Sequence, residues 1–206
     1  MSRIRGLRPL RRSELPYDAA KLAEFLIGKT LVREVVRKGK PRRILARIVE
    51  TEAYLPGDAA AHSFIGETAR NRSLFLDRGH AYVYFCYGMH FMLNTSAESH
   101  GVGAGVLFRA AEPLKGAEWM GGAGSAPDKR KIASGPGRLA RALHVGKRLD
   151  GVDLTGAGPL WLAAALGPTG PVGTSVRIGI TKEAHRPLRF FERGNPVVSG
   201  PRRLNQ

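Results

Sequence analysis

The chain has 206 residues, 43% hydrophobic and 24% charged, enough for one domain with a substantial core. Its 33 Lys+Arg against 17 Asp+Glu leave a net charge of +16, and 24 of the cations are arginines, whose planar fork suits phosphate. The single cysteine, Cys86, excludes an internal disulfide or a cysteine-built zinc cluster, and no run of about 18 apolar residues offers a transmembrane helix, so no membrane association is expected.

Residues 1–14 read as a flexible basic N-terminal arm without the apolar centre of a signal peptide, and one domain is expected over 15–206. The expected location is the cytoplasm, with the nucleoid as the site of action in a bacterium. Asp18 caps a helix running through Ile27, with Leu22, Phe25 and Leu26 spaced for one buried face and Gly28 as its stop. Thr30–Val36 and Ile44–Tyr54 read as strands joined by the polar turn 37–43, whose five basic residues form a solvated tip. A turn at Pro56-Gly57-Asp58 leads into a loop to Asp77 with a short helix around Leu74. His80–Tyr87 and Phe91–Thr95 form a hairpin about Gly88. Gly105–Ala111 is a further strand, ended by Glu112-Pro113. Residues 121–131, rich in Gly, Ala and cations, are expected to be disordered. Ser134–Gly137 opens a helix from Arg138 to about Val145, Trp161-Leu162 and Val176–Ile180 supply later strands, and Pro187–Phe191 adds an aromatic run. The result is an α+β fold: a single domain with a largely antiparallel β-sheet core flanked by helices and a protruding β-hairpin.

Chemistry concentrates between Glu50 and Arg109. In the run Ala-Arg-Ile-Val-Glu-Thr-Glu-Ala-Tyr (46–54), straight alternation places Ile48, Glu50, Glu52 and Tyr54 on one face. A carboxylate held against an aromatic ring in a strongly basic protein is a candidate general base, and spacing offers Glu50 and Glu52 equally. Tyr54, Tyr82, Tyr84 and Tyr87 are four of the five tyrosines. Tyr84 and Tyr87 fall on opposite faces of their strand, which fits one lining a pocket and the other wedging into a base stack at the turn. Asn94 and Arg109 are polar groups set in apolar strands and need partners there. Free N–H groups at the Ser134–Gly137 turn before a helix suit a phosphate. The six histidines never fall at the spacing of a helical ligand pair, so no metal and no cofactor is expected.

The ordered motifs Ile-Val-Glu-Thr-Glu-Ala-Tyr (48–54), Ala-His-Ser (61–63), Arg-Asn-Arg (70–72), Tyr-Val-Tyr-x-x-Tyr-Gly-Met (82–89), Leu-Asn (93–94) and Val-Leu-x-Arg-Ala-x-Glu-Pro-Leu (106–114) complete the pattern. With Ser-Gly-Pro-Gly-x-Leu (134–139) and Pro-Leu-Arg-Phe-Phe-x-Arg-Gly (187–194), the chain resembles the alkyladenine (3-methyladenine) DNA glycosylases of base-excision repair. The resemblance implies Glu52 as the general base that activates water and Arg109 as the cation beside it. It implies Tyr54, His62 and Tyr84 as walls for a flipped base, Asn94 as a pocket group that discourages guanine, and Tyr87 as the ring inserted into the duplex. Arg72, Met89, Ser134 and Gly135 are expected to contact DNA.

The implied activity is excision of 3-methyladenine, 7-methylguanine or hypoxanthine from double-stranded DNA, leaving an abasic site. No membrane partner is implied, and the protein is expected to act as a monomer. Flipping a base costs a few kcal/mol, less where the base is damaged or mispaired. No lysine stands in the matched pocket segments to form a Schiff base, so a monofunctional enzyme is expected. A non-catalytic binder of RNA or DNA shape shares the charge but has no use for a buried carboxylate among pocket aromatics.

Overall fold

The computed structural model describes residues 6–86, 88–121, 128 and 130–206. Among these residues, eight strands form one antiparallel sheet. These are β1 (Thr30–Arg37), β2 (Lys40–Tyr54), β3 (Ala81–Cys86), β4 (His90–Ser96), β5 (Gly105–Lys115), β6 (Leu160–Ala163), β7 (Val172–Ser175) and β8 (Arg189–Glu192). Their order is β3-β4-β5-β2-β1-β6, with β8 pairing both β2 and β7. With helices α1 (Ala19–Phe25) and α2 (Pro136–Ala142) packed against it, the sheet makes the expected α+β domain.

Local chemistry explains the elements. The Asp18 carboxylate accepts the Lys21 N–H at 2.8 Å, capping α1. Ala19, Leu22, Ala23 and Leu26 then bury one stripe, and Gly28, at φ +82°, reverses the chain after the helix. The β1–β2 turn is tighter than the sequence suggests. Arg37 pairs with Lys40, because Lys38 and Gly39 both take positive φ, so both strands extend into the basic stretch. β5 likewise runs through Pro113 to Lys115, accommodated by a register shift at Leu45/Ala46. Residues 176–180 are not a strand: β7 ends at Ser175, and the chain then bends across the end of β2.

Strand β2 positions everything that follows. Its first half pairs with β1 and β5, its second half with β8 and β5. Glu50 to Ala53 therefore lie in the middle of the sheet and are fully buried. Where the expected arm begins, residues 1–5 lie outside the described residues; Leu10 is 1% exposed, and its N–H donates to the Leu162 carbonyl at 2.9 Å. Of the segment expected to be disordered, 122–127 and 129 lie outside the described residues. The β3–β4 hairpin carries buried Ala81, Tyr82 and Val83 at its base, then projects outward with Phe85 and Met89 exposed.

Candidate active site

Straight alternation along β2 fails at one point, and the site depends on that failure. Ile48 pairs with Ala111 and Glu50 with Ala110, which leaves Val49 as an extra residue on β2. Glu50 pairs with Ala110 and Thr51 with Phe108, which leaves Arg109 as the extra residue on β5. These are two β-bulges, one on each strand. Ile48, Ala53 and Phe108 consequently stay in the core that includes the α1 residues Leu22 and Ala23, and Thr51 donates its hydroxyl to the Ala23 carbonyl at 2.8 Å. Val49 and Ala110 pack with Val197 in a separate cluster. The sequence-based grouping of Ile48 with Glu50 is thus corrected. The bulge resets the phase of the strand, so an apolar core residue and the acids face opposite ways.

The two acids form a chain with two arginines. The Arg109 Nε donates to Glu50 Oε1 at 2.8 Å, and its Nη1 lies 3.1 Å from Glu52 Oε1. Glu50 also accepts from Arg189 Nε at 2.7 Å and from the Ser199 N–H at 2.7 Å. Burial opposes ionisation of Glu50, but Arg109, Arg189 and the Ser199 amide outweigh it and hold its carboxyl below the usual range. Glu52 accepts the Ile178 N–H at 2.7 Å on Oε1 and the Tyr54 hydroxyl at 3.1 Å on Oε2. Its carboxyl is nevertheless pushed up: complete burial is the largest cause, and the neighbouring Glu50 charge adds to it against Arg109 and the two hydrogen bonds. Two carboxylates differing this way in environment can take different roles.

A cavity of about 330 Å³ opens beside Glu52. Tyr54, His62, Tyr84, Asn94 and Arg109, all expected site residues, line it together with Tyr82, Leu107, Pro136 and Ile178. Its volume falls in the range of small-ligand sites, about 300–1,000 Å³. Glu52 is one layer deeper, behind Tyr54, Arg109 and Ile178. The rings form an aromatic corner: His62 meets Tyr84 edge-on at 4.4 Å between centroids, and Tyr82 stacks on Tyr84 at 5.4 Å. His62 Nδ1 and the Tyr82 hydroxyl are 2.9 Å apart. Burial, with the Arg70 charge second, lowers the His62 pKa; burial pushes the Tyr82 phenol up to about 12. Both groups are therefore neutral near pH 7. Asn94 donates its amide to the Tyr82 carbonyl at 3.3 Å, which fixes it across the hairpin.

The expected DNA-contacting residues sit around this opening or on the surface. Met89 is 70% exposed at the hairpin turn, and Arg72 is exposed, with Glu67 3.8 Å away. Ser134 bridges to Ala110, and Gly135, at φ +109°, immediately precedes Pro136 of the cavity wall. Tyr87 lies outside the described residues. Among the described residues, no group of three or more His, Cys, Asp or Glu gathers where it could hold a metal, and no helix is long and apolar enough to cross a membrane.

Sequence reasoning missed Arg189, Arg177, Asp58 and the structural part of Tyr82. Arg189 is fully buried within Leu-Arg-Phe-Phe, and Arg177 is 3% exposed within Ser-Val-Arg-Ile. The signal that singled out Arg109, a cation in an apolar run, was present at both.

The model of the family described as methylpurine-DNA glycosylase matches residues 13–196. A protein of Mesorhizobium japonicum named as a 3-methyladenine DNA glycosylase is 55% identical over 198 residues, covering 96% of this chain and 93% of that protein. Proteins so named from Paraburkholderia phytofirmans and Methanoculleus marisnigri are 47% and 42% identical, over 95% and 88% of this chain and 90% and 94% of their own lengths.

Proposed function

The chain belongs to the methylpurine-DNA glycosylase family and is a DNA N-glycosylase; on that premise we propose that it flips an alkylated or deaminated purine into the aromatic cavity and hydrolyses its glycosidic bond with water activated by Glu52. The observation that carries this reading is the buried Glu52, bonded to Arg109, Tyr54 and the Ile178 amide, directly behind a base-sized cavity.

A carboxylate offers about four lone-pair directions, and three neighbours reach Glu52. The remaining direction, on Oε2, receives the proton of the attacking water. Departure of the base leaves an oxocarbenium-like sugar, which the ionised carboxylate stabilises while taking that proton. Arg109 favours the ionised form of Glu52. The rings of Tyr54, His62 and Tyr84 stack on and contact the base; alkylated purines, electron-poor and positively charged, stack well and already have weak glycosidic bonds. Asn94, whose amide NH2 is held by the Tyr82 carbonyl, is assigned as the pocket residue that discourages guanine through its exocyclic amino group. Tyr87 is assigned as the wedge that fills the vacated stack, with Arg72, Met89, Ser134 and Gly135 along the DNA.

The excess charge of +16 supplies sequence-independent affinity for duplex DNA. We assign a monofunctional reaction without strand cleavage, carried out by a monomer in the cytoplasm or on the nucleoid. Release of free base from methylated and from inosine-containing duplexes tests the reading. Trapping of an enzyme–DNA adduct with borohydride would contradict the monofunctional assignment, and failure to release either base would remove the substrate class.

A further inference from the structure

Three of the stretches that wall the cavity, those carrying Tyr54, His62 and Ile178, are joined by one buried ion pair. The Arg177 and Asp58 side chains are both fully buried. Arg177 Nη1 donates to Asp58 Oδ2 and, at 3.0 Å, to the Ala53 carbonyl; Nη2 donates to Asp58 Oδ1 at 3.2 Å. The guanidinium carbon lies 4.7 Å from the centroid of the Tyr54 ring. Tyr54 lines the cavity and Arg177 does not, so the guanidinium supports the ring without bordering the cavity itself. Asp58 in turn accepts the Ala60 N–H at 2.9 Å, anchoring the loop that carries His62. The residue after Arg177 is Ile178, whose N–H is bonded to Glu52.

An arginine placed there is costly. Its Nε is buried without a hydrogen-bond partner, and an apolar side chain would fill the same space without that loss. What an apolar residue cannot do is bond Asp58 and Ala53 together while standing over a tyrosine ring.

We propose that Arg177, held by Asp58, is a positioning residue that sets the plane of Tyr54 and the direction of the Ile178 N–H, and through them the stacking wall and the orientation of Glu52. The proposal rests on the reading of Glu52 as the base. It predicts a change in chemistry and not only in stability. Glu52 is faced by Arg109 from β5, by Glu50 and Tyr54 from β2 and by the Ile178 amide; Arg189 of β8 reaches Glu50, and Arg177 reaches Tyr54. Moving the Ile178 N–H away removes a donor that favours the charged form of Glu52, which shifts the acid limb of the rate profile to higher pH.

The test is single-turnover release of hypoxanthine from an inosine-containing duplex by the full chain, followed from about pH 5 to about pH 9. Arg177→Lys keeps the charge but loses the fork and the flat face. The paired change Asp58→Asn with Arg177→Met removes both charges, so neither is left buried alone and folding does not hinge on the single variant. Each is expected to slow release at least about 10-fold, to raise the acid limb, and to leave affinity for undamaged duplex within about 2-fold. A wild-type rate or an unmoved acid limb in a folded variant overturns the proposal. A wild-type chain that releases no base instead overturns the proposed reaction, so the two failures are distinct.

Discussion

Glu50 and Glu52 share one guanidinium: Arg109 reaches the first at 2.8 Å and the second at 3.1 Å, yet the two acids are driven in opposite directions. Glu50 has a second arginine and a backbone amide, and ionises readily. Glu52 has one shared cation, full burial and an anionic neighbour, and holds its proton to higher pH. Arg189 makes the difference. It bonds Glu50, whereas Arg109 is divided between the two acids.

Replacing Glu52 by Gln is expected to lower single-turnover base release by about 10²–10⁴-fold, the usual worth of a general base. Binding to a lesion-containing duplex is expected to survive, because the amide keeps the size and shape of the side chain behind the cavity wall. Near-normal release by this variant would remove Glu52 from the reaction.

The raised Glu52 carboxyl also sets a stability prediction, whose sign follows from linkage. Protonation of Glu52 stabilises the fold; that contribution is full below the ordinary glutamate pKa and is lost as pH rises through the elevated one. At neutral pH the buried charge is therefore a cost. Glu52→Gln should melt at or above the wild-type temperature at pH 7, with the gap narrowing as pH falls. In the proposed reaction base release requires the ionised form, so wild-type activity should decline on acidification at a higher pH than an ordinary glutamate would give. A variant markedly less stable than wild type at pH 7 would contradict this.

Arg189→Met should act on stability first. Arg189 bonds Glu50, Ser175, the Ser199 and Leu204 carbonyls and Asn205, all from a fully buried position. Removing it leaves Glu50 with one cation, and the loss is about 3–5 kcal/mol. At roughly 2–4 °C per kcal/mol in a chain of this size, calorimetry should show a fall of about 10 °C. A shift of only a degree or two would mean that Arg109 alone suffices for Glu50.

Affinity for undamaged duplex should fall steeply with salt. If six or more phosphates are neutralised, binding drops by about 10³-fold or more between 50 and 200 mM salt, with a linear log–log plot. A flat dependence would show that the net charge of +16 serves something other than the DNA backbone.

Much of the molecule was readable in advance. Asp18 and Gly28 bound α1 because their signals are local: a side-chain cap at one end and a positive-φ glycine just past the other. Motif order alone assembled Tyr54, His62, Tyr84, Asn94 and Arg109, and the fold brings all five to one cavity. The stretch 176–180 reads as a strand in sequence because its apolar alternation is real, while the ladder it lacks can be known only from its neighbours.

From sequence came the family, the charge that draws DNA, and an acid misplaced in an apolar strand. Tertiary structure decided which way that acid faces and what it touches. The bulges at Val49 and Arg109 change the phase of their strands by one residue, and a bulge is visible only in the pairing of two strands. The partners that complete the site lie far off in the chain: Asp58 and Arg177 are 119 residues apart, and Glu50 and Ser199 are 149 apart. No local pattern can carry such a pairing, because its free energy exists only once the sheet has brought both ends together.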